Sequence, residues 1–248
     1  MTPSQVEYIQ DFNKELEQLC VYRFITRNSE LQRTACSNLE EMLAVVSQDK
    51  AAAIAEGDEH FANVLLGFEA LLSACVAEIR MYLFLKEDKP DAAWTELVTS
   101  QDGFEAALRA DRGFGEDIAR QLQRLQKIEK LVFPPQSFLS TGWVVKDEIC
   151  SICESDYEDC GHIKGRPYMG QFCVVHIRPL EVNHVAIVDK PASKHCRITH
   201  MKVSDGRENR LSLMIEPEPK ESEDDVAVES EGKLFQGVVA TTSSLSDG

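Results

Sequence analysis

The sequence lacks an excess of positive charge, and it has no long uncharged apolar run. It has 26 Lys and Arg residues and 42 Asp and Glu residues, which gives a formal charge of −16 in 248 residues. A surface that binds nucleic acid or an anionic membrane needs the opposite balance. The most hydrophobic stretch, 61–85, is interrupted by charges, and the N-terminus has no basic start or apolar run typical of a signal peptide. We expect a cytoplasmic protein, in the host cytoplasm or virion-associated if the chain is viral, with no nucleic-acid or membrane partner.

Cysteine and histidine are scarce in the first half of the chain and crowded in the second. Five of the eight cysteines lie in 150–196, and five of the six histidines lie in 162–200. Disulfides are rare in a reducing compartment, so this crowding indicates a metal site rather than a disulfide framework.

The first 135 residues are predicted to form a helical domain, either a bundle or long helical hairpins. Apolar residues recur there at spacings of three and four, which places them on one face of a helix. A capping-box pattern at 29–32 predicts a helix start. A second helix is predicted from Ala51 to about Lys86, and it is apolar nearly all round near 64–76, as in a buried helix. Further helices are predicted at about 88–110 and 118–131. The long apolar stripes predict a protein partner or self-association through this domain.

After Pro135 the pattern becomes β-rich, so the predicted fold class is α+β. Residues 136–215 are predicted to form a small β-rich domain with a zinc loop. Residues 216–248 carry nine acids and two bases and are predicted to be an acidic, mostly disordered tail. Such a tail is usually solvated; the alternative is that it binds a basic partner. The predicted strands are 142–145, 182–188, 197–203 and 210–215, with one short strand or binding motif at 234–239.

A group of metal-ligand residues occupies the start of the β-rich region. Cys150 and Cys153 have the C-x2-C spacing of a zinc knuckle, and Cys160, His162 and Cys173 follow. Structural zinc is four-coordinate, so four of these five residues are expected to be ligands. Cys150 and Cys153 are the surest pair, and the spacing leaves open which of the other three is not a ligand. A full set of protein ligands favours structural zinc, because catalytic zinc keeps a position for water.

Three segments of 138–200 form a pattern together: Phe-Leu-Ser-Thr-Gly-Trp at 138–143, the Cys-Gly-His-Ile-Lys-Gly-Arg-Pro-Tyr-Met-Gly core at 160–170, and Leu-Glu-Val-Asn-His-Val-Ala-Ile-Val-Asp-Lys-Pro-Ala at 180–192. This pattern resembles the C-terminal half of tailed-phage prohead (capsid maturation) proteases. It implies that Ser140 stands where the family has its nucleophile. The family carries the histidine base on an upstream strand, whereas the upstream half of this chain is predicted to be helical.

A serine nucleophile needs an imidazole or an equivalent base within hydrogen-bond reach. The upstream half offers His60 alone, and His184 on the later strand is the candidate substitute. Because no base is evident, the sequence favours a non-enzymatic, zinc-stabilised binding or assembly protein, phage- or prophage-related by its resemblance. The alternative is a prohead-protease-like serine peptidase with Ser140 as nucleophile.

Overall fold

A computed structural model describes residues 1–111, 113, 115–217, 226–230 and 233–237. The chain divides into two compact units. The helical unit comprises 1–129 together with 161–174, and the β-rich unit comprises 130–160 together with 175–248. The sequence predicts a single domain over 136–215, and that division stays a prediction.

Helices fill the N-terminal part of the chain, which confirms that part of the predicted fold. A 3-10 turn at Cys20–Tyr22 separates the first two helices. The helices are α1 (Pro3–Leu19), α2 (Ser29–Ala55), α3 (Glu59–Lys86), α4 (Pro90–Ala110) and α5 (Gly115–Val132).

Local capping groups set the helix boundaries, and the structure differs from the prediction at two points. The residue before α2 that accepts a backbone hydrogen bond, from Leu31 N at 3.1 Å, is Asn28 and not Ser29. The predicted helix start at Ala51 is also wrong. Helix α2 continues past this position through a run of alanines, which are the strongest helix formers. The chain turns at Gly57, whose φ of +75° suits glycine, and Asp58 then caps α3.

Helix α3 forms the centre of the helical unit. Leu65, Leu72 and Ile79 are fully buried along its length. It is the one helix in the described part of the chain that is long and apolar enough to cross a membrane. However, 78% of its most apolar window is buried inside the protein, as in a core helix.

Helix α4 packs closely against α3 because a glycine faces a small residue. A Cβ atom at Gly103 would lie 2.9 Å from the Cβ of Ala74 and 3.1 Å from the carbonyl oxygen of Ala70. Nearby, the Ser100 hydroxyl donates a hydrogen bond of 2.8 Å to the Ala74 carbonyl. Glycine therefore sets the distance between these helices.

The C-terminal part consists of small antiparallel sheets, as predicted in outline. Strands β1 and β4 form a long antiparallel pair, β2 and β3 form a short hairpin, and the remaining strands form a sheet in the order β7-β6-β5-β9-β8. The strands are β1 (Phe138–Cys150), β2 (Pro167–Tyr168), β3 (Gln171–Phe172), β4 (Val175–Val188), β5 (Ile198–Val203), β6 (Gly206–Asn209), β7 (Ile215–Glu216), β8 (Val226–Ser230) and β9 (Lys233–Gly237).

The strand predicted at 210–215 is mostly a turn. The side-chain oxygen of Asn209 accepts hydrogen bonds from the backbone N–H groups of Leu211 at 2.8 Å and Ser212 at 3.0 Å. Leu213 has a φ of +58°, which a strand does not allow. The side chain of Asn209 thus satisfies backbone donors that a strand would have paired with a neighbour.

The tail predicted at 216–248 is described only in part. Val226–Ser230 and Lys233–Gly237 form an antiparallel pair, and the second of these strands coincides with the short strand predicted near 234–239. Residues 218–225, 231–232 and 238–248 lie outside the described residues, and the predicted disorder falls largely on them.

Candidate metal centre

The C-x2-C pair lies in a tight turn at the end of β1. Cys150 is the last residue of the strand and is fully buried, whereas Cys153 is exposed. The backbone N–H of Glu154 donates to the Cys150 carbonyl at 2.9 Å, and Glu154 has a φ of +57°. This turn reverses the chain within four residues, so both thiols can be directed at one point.

Backbone hydrogen bonds hold the turn and also reach a sulfur. The N–H of Ile152 donates a hydrogen bond to Cys150 Sγ at 3.4 Å. The N–H of Cys150 donates to the Ser155 carbonyl at 2.9 Å, and that of Tyr157 donates to the Glu148 carbonyl at 2.7 Å. The chain after the turn is thus paired back onto the end of β1.

Four of the five candidate ligands come together. One donor atom each from Cys150, Cys153, Cys160 and His162 lies within 4.8 Å of the other three. In a tetrahedral site with Zn–S bonds of about 2.3 Å, neighbouring sulfur atoms are about 3.8 Å apart. A zinc ion would therefore draw these donors together by about 1 Å at most. Three sulfurs and one imidazole nitrogen form a Cys3His set, which suits a four-coordinate ion such as zinc.

The ring of Tyr168 contacts the imidazole of His162. The two rings meet edge to face, with centroids 4.7 Å apart, and the Tyr168 hydroxyl accepts a hydrogen bond of 3.0 Å from Ile163 N. Tyr168 ends β2, and the next two residues turn with φ values of +45° and +74°. The second is Gly170, which fits the preference of such two-residue turns. Sequence reasoning alone does not identify Tyr168 as a support for His162. The Tyr-x-Gly pattern, which is typical of a turn, is the signal that points to it.

Cys173 lies outside the four-residue group. Its side chain is 1% exposed, and its own backbone makes hydrogen bonds with Arg166 at 2.9 Å and Gly165 at 2.8 Å. Within the helical unit, the hairpin just before it is held by a hydrogen bond of 2.8 Å from Gly170 N to the side chain of Asn63. Cys173 is therefore buried beside that hairpin.

The two candidate catalytic residues lie on paired strands. Ser140 of β1 is half-buried and pairs with Ala186 of β4, and His184 is exposed and pairs with Gly142. The imidazole occupies the space where a side chain at Gly142 would stand, since a Cβ there would be 2.4 Å from His184 Cε1. Ser140 and His184 are therefore diagonal neighbours across the ladder. His60, the upstream alternative, is on α3 of the helical unit.

Comparisons with protein-family models, with curated proteins and with solved structures returned no match for this chain. The resemblance to prohead proteases therefore rests on the residues quoted above, and the geometry alone characterises the site: a Cys3His cluster able to hold a metal ion such as zinc.

Proposed function

We propose that this chain is a non-enzymatic, zinc-stabilised binding or assembly protein, related to phage or prophage proteins as the motif resemblance implies. The observation that carries the proposal is the convergence of Cys150, Cys153, Cys160 and His162 within 4.8 Å. Four protein donors fill a tetrahedral ion, so no position remains for a reactive water. The metal then supports the fold and takes no part in chemistry.

The chain between the ligands supports a structural role for the metal. The segment 154–159 holds four carboxylates, at Glu154, Asp156, Glu158 and Asp159, and all four side chains are exposed. It has almost no apolar surface to bury, so it gains little free energy from burial. Metal binding supplies that free energy in small domains of this kind.

An exposed apolar segment in the helical unit supports self-association as the mode of assembly. Between α1 and α2, Val21 is 55% exposed, Phe24 52% and Ile25 70%. Large apolar side chains grouped in this way are typical of protein–protein interaction sites. The acidic composition leaves a protein surface, rather than nucleic acid or an anionic membrane, as the partner class.

Metal content tests the zinc proposal. Purified full-length protein should contain about one equivalent of zinc, and Cys153→Ser should lose it because one of the four donors is gone. Cys173→Ala is the matched control: it removes a cysteine outside the group and should retain the metal. Zinc-free, fully folded wild-type protein would contradict the proposal. If Cys173→Ala lost its zinc, Cys173 would be a ligand in place of one of the four.

Light scattering tests the assembly proposal. The full chain should elute with a mass above 27.8 kDa, and Ile25→Asp should reduce it to the monomer mass by placing a charge in the apolar segment. Ile54→Asp, a change at a 38% exposed residue of α2, is the control and should leave the mass unchanged. A wild-type monomer at all concentrations would remove the support for self-association.

A serine peptidase is the second candidate, and the Ser140–His184 arrangement favours it. Diagonal neighbours across an antiparallel ladder are about 7–8 Å apart at Cα, within reach of a long side chain. Gly142 leaves room for the imidazole between them. A serine-reactive fluorophosphonate probe distinguishes the two functions. The non-enzymatic proposal expects no labelling; labelling that is lost in both Ser140→Ala and His184→Ala would establish the peptidase instead.

A further inference from the structure

Two cysteines of the helical unit lie together, far from the metal ligands in the sequence. Cys20 follows the last residue of α1, and Cys75 lies in the middle of α3. Their Sγ atoms are 3.7 Å apart. Cys75 is fully buried, whereas Cys20 is half-buried and begins the short 3-10 turn. We propose that Cys20 and Cys75 are an oxidisable thiol pair, in which the Cys20 sulfur first attacks hydrogen peroxide and Cys75 then closes a disulfide.

The surroundings of Cys20 stabilise a negative charge on its sulfur. The guanidinium of Arg23 lies 3.6 Å from Cys20 Sγ and also pairs with the carboxylate of Glu78 at 2.7 Å. Arg124 forms a second ion pair with Glu78. With Cys20 as thiolate, the cluster contains two cations and two anions. With Cys20 protonated, it would hold one excess positive charge in a largely buried site.

The two thiols differ in their readiness to ionise. A hydrogen bond from Cys75 and the charge of Arg23 lower the pKa of Cys20 to about 6, although burial opposes this shift. The same hydrogen bond, together with burial, raises the pKa of Cys75 well above its usual value. Cys20 therefore ionises more readily and is the nucleophile, whereas Cys75 keeps its proton and donates to Cys20.

A third cysteine of the same unit provides the contrast. Cys36 in α2 is buried, and burial raises its pKa to about 11. Its Sγ is 3.9 Å from the carbonyl oxygen of Val76, not from another sulfur. Cys36 should therefore be inert under conditions in which Cys20 reacts.

The reaction balances without any group beyond the peroxide. The Cys20 thiolate attacks one peroxide oxygen; an S–O bond forms, the O–O bond breaks and hydroxide leaves. That hydroxide takes the proton of Cys75, whose sulfur then attacks the sulfenic acid. An S–S bond forms, the S–O bond breaks, and the departing hydroxide takes up the proton that Cys20 had released. The two sulfurs are oxidised by two electrons and the peroxide becomes two waters.

The sulfurs need to move only a short distance to bond. A disulfide measures about 2.05 Å, so the two atoms must approach by about 1.6 Å from their separation of 3.7 Å. Cys20 belongs to a three-residue 3-10 turn at a helix end, so a small local adjustment can supply this approach without moving α3.

Peptide mapping tests the proposal on the full-length, zinc-loaded protein. Cleavage after Lys and Arg places Cys20 in 15–23, Cys75 in 51–80 and Cys36 in 34–50, so each peptide has one cysteine and the zinc ligands lie elsewhere. After brief peroxide treatment and blocking of free thiols, we expect a cross-linked 15–23/51–80 pair that dithiothreitol separates. Cys20 should be consumed at least tenfold faster than Cys36.

Variants separate the two steps. In Cys75→Ser the disulfide cannot form, so a dimedone adduct of the Cys20 sulfenic acid should accumulate, whereas Cys36→Ser should cross-link like the wild type. Equal rates for Cys20 and Cys36 in the wild type, or oxidation of Cys20 that leaves Cys75 free, would overturn the proposal. Both decisive measurements use the unmodified sequence, so they hold even if a variant folds poorly.

Discussion

The helical unit and the β-rich unit differ in what they bury. The helical unit places a whole apolar helix, α3, between its neighbours, with Phe68 and Leu72 almost fully buried. In the described part of the β-rich unit, the buried apolar side chains are few, and two buried residues, Arg197 and Asn209, are polar. Apolar burial contributes about 25 cal/mol per Å², so the helical unit has the larger hydrophobic contribution to stability. The β-rich unit depends more on strand pairing and on its cysteine-rich turn.

The two units also differ in the neighbours of their buried polar groups. In the helical unit, the fully buried carboxylate of Glu78 is neutralised by Arg23 and Arg124, so the pairing is internal. At the end of β1, the buried thiol of Cys150 has other thiols and an imidazole as its neighbours. Such a donor group attracts a cation from solution. We therefore expect the stability of the Glu78 centre to change only on mutation. The stability around Cys150 should change on mutation and also with the supply of metal.

Metal removal should give the largest effect, and it should be concentrated in the cysteine-rich turn at the end of β1. Chelation of the full-length protein should abolish the protection of backbone amides in 148–157 from hydrogen exchange, whereas the amides of α3 keep theirs. Structural zinc contributes on the order of 10 kcal/mol to the folding of a small metal-dependent segment, and this segment has little apolar surface to bury.

Restoring zinc provides the control for that experiment. Added Zn²⁺ should return the protection of 148–157, and Mg²⁺ should not, because thiolates are poor ligands for magnesium. If hydrogen exchange in 148–157 were unchanged in the metal-free protein, the hydrogen bonds of the turn would be enough to hold it. The difference in metal dependence between the two units would then not exist.

Removing the charge of Glu78 should give the next largest effect. Glu78→Gln leaves Arg23, whose side chain is 9% exposed, without a full counter-charge, and we expect a loss of about 3–5 kcal/mol in the free energy of unfolding. Urea unfolding followed by the fluorescence of Trp94, in a Trp143→Phe background, reports on the helical unit. Glu40→Gln breaks an exposed pair with Arg80 and should cost less than about 1 kcal/mol. Similar losses in the two variants would contradict this account.

The residues of these centres show what the sequence could and could not predict. The helical half was predictable because its apolar periodicity is local. Glu78 stands out in an apolar helix, but its partners are 55 and 46 positions away, and no periodicity connects them. The cysteine spacing predicted four ligands among five candidates, and only the three-dimensional structure shows which four donor atoms lie close together. The strand predicted at 210–215 failed because one side chain, Asn209, captured the backbone donors.

A single methyl group should test how closely the helical unit is packed. Gly103→Ala would place a Cβ 2.9 Å from that of Ala74, so α3 and α4 must separate slightly. Overpacking costs about 1–3 kcal/mol, and the higher helix propensity of alanine returns up to about 1 kcal/mol, for a net loss of about 1 kcal/mol. Gly115→Ala is the matched change, because nothing lies within 4 Å of its Cβ. It should be neutral or slightly stabilising; equal behaviour of the two would indicate loose packing.

The smallest effect should be a pH dependence confined to the β-rich unit. His200 on β5 lies near Arg207, Arg197 and Glu216; its Nε2 is 3.4 Å from the Glu216 carboxylate. Burial lowers the pKa of His200, Arg207 and Arg197 lower it further, and Glu216 opposes them. Below the ordinary value of about 6.5, the unfolded chain therefore binds more protons at this position than the folded chain does.

This sign makes acid destabilising at His200. Its contribution is fully present above pH 6.5 and is lost as the pH falls through that value toward the lowered folded pKa. Urea unfolding at pH 7.5 and 5.5, followed by Trp143 in a Trp94→Phe background, should show a smaller pH difference in His200→Asn than in its parent. Both chains keep the metal ligands, so protonation of those ligands contributes equally and cancels in the comparison. A larger pH difference in His200→Asn would mean that Glu216 outweighs burial and that the histidine is charged in the folded sheet.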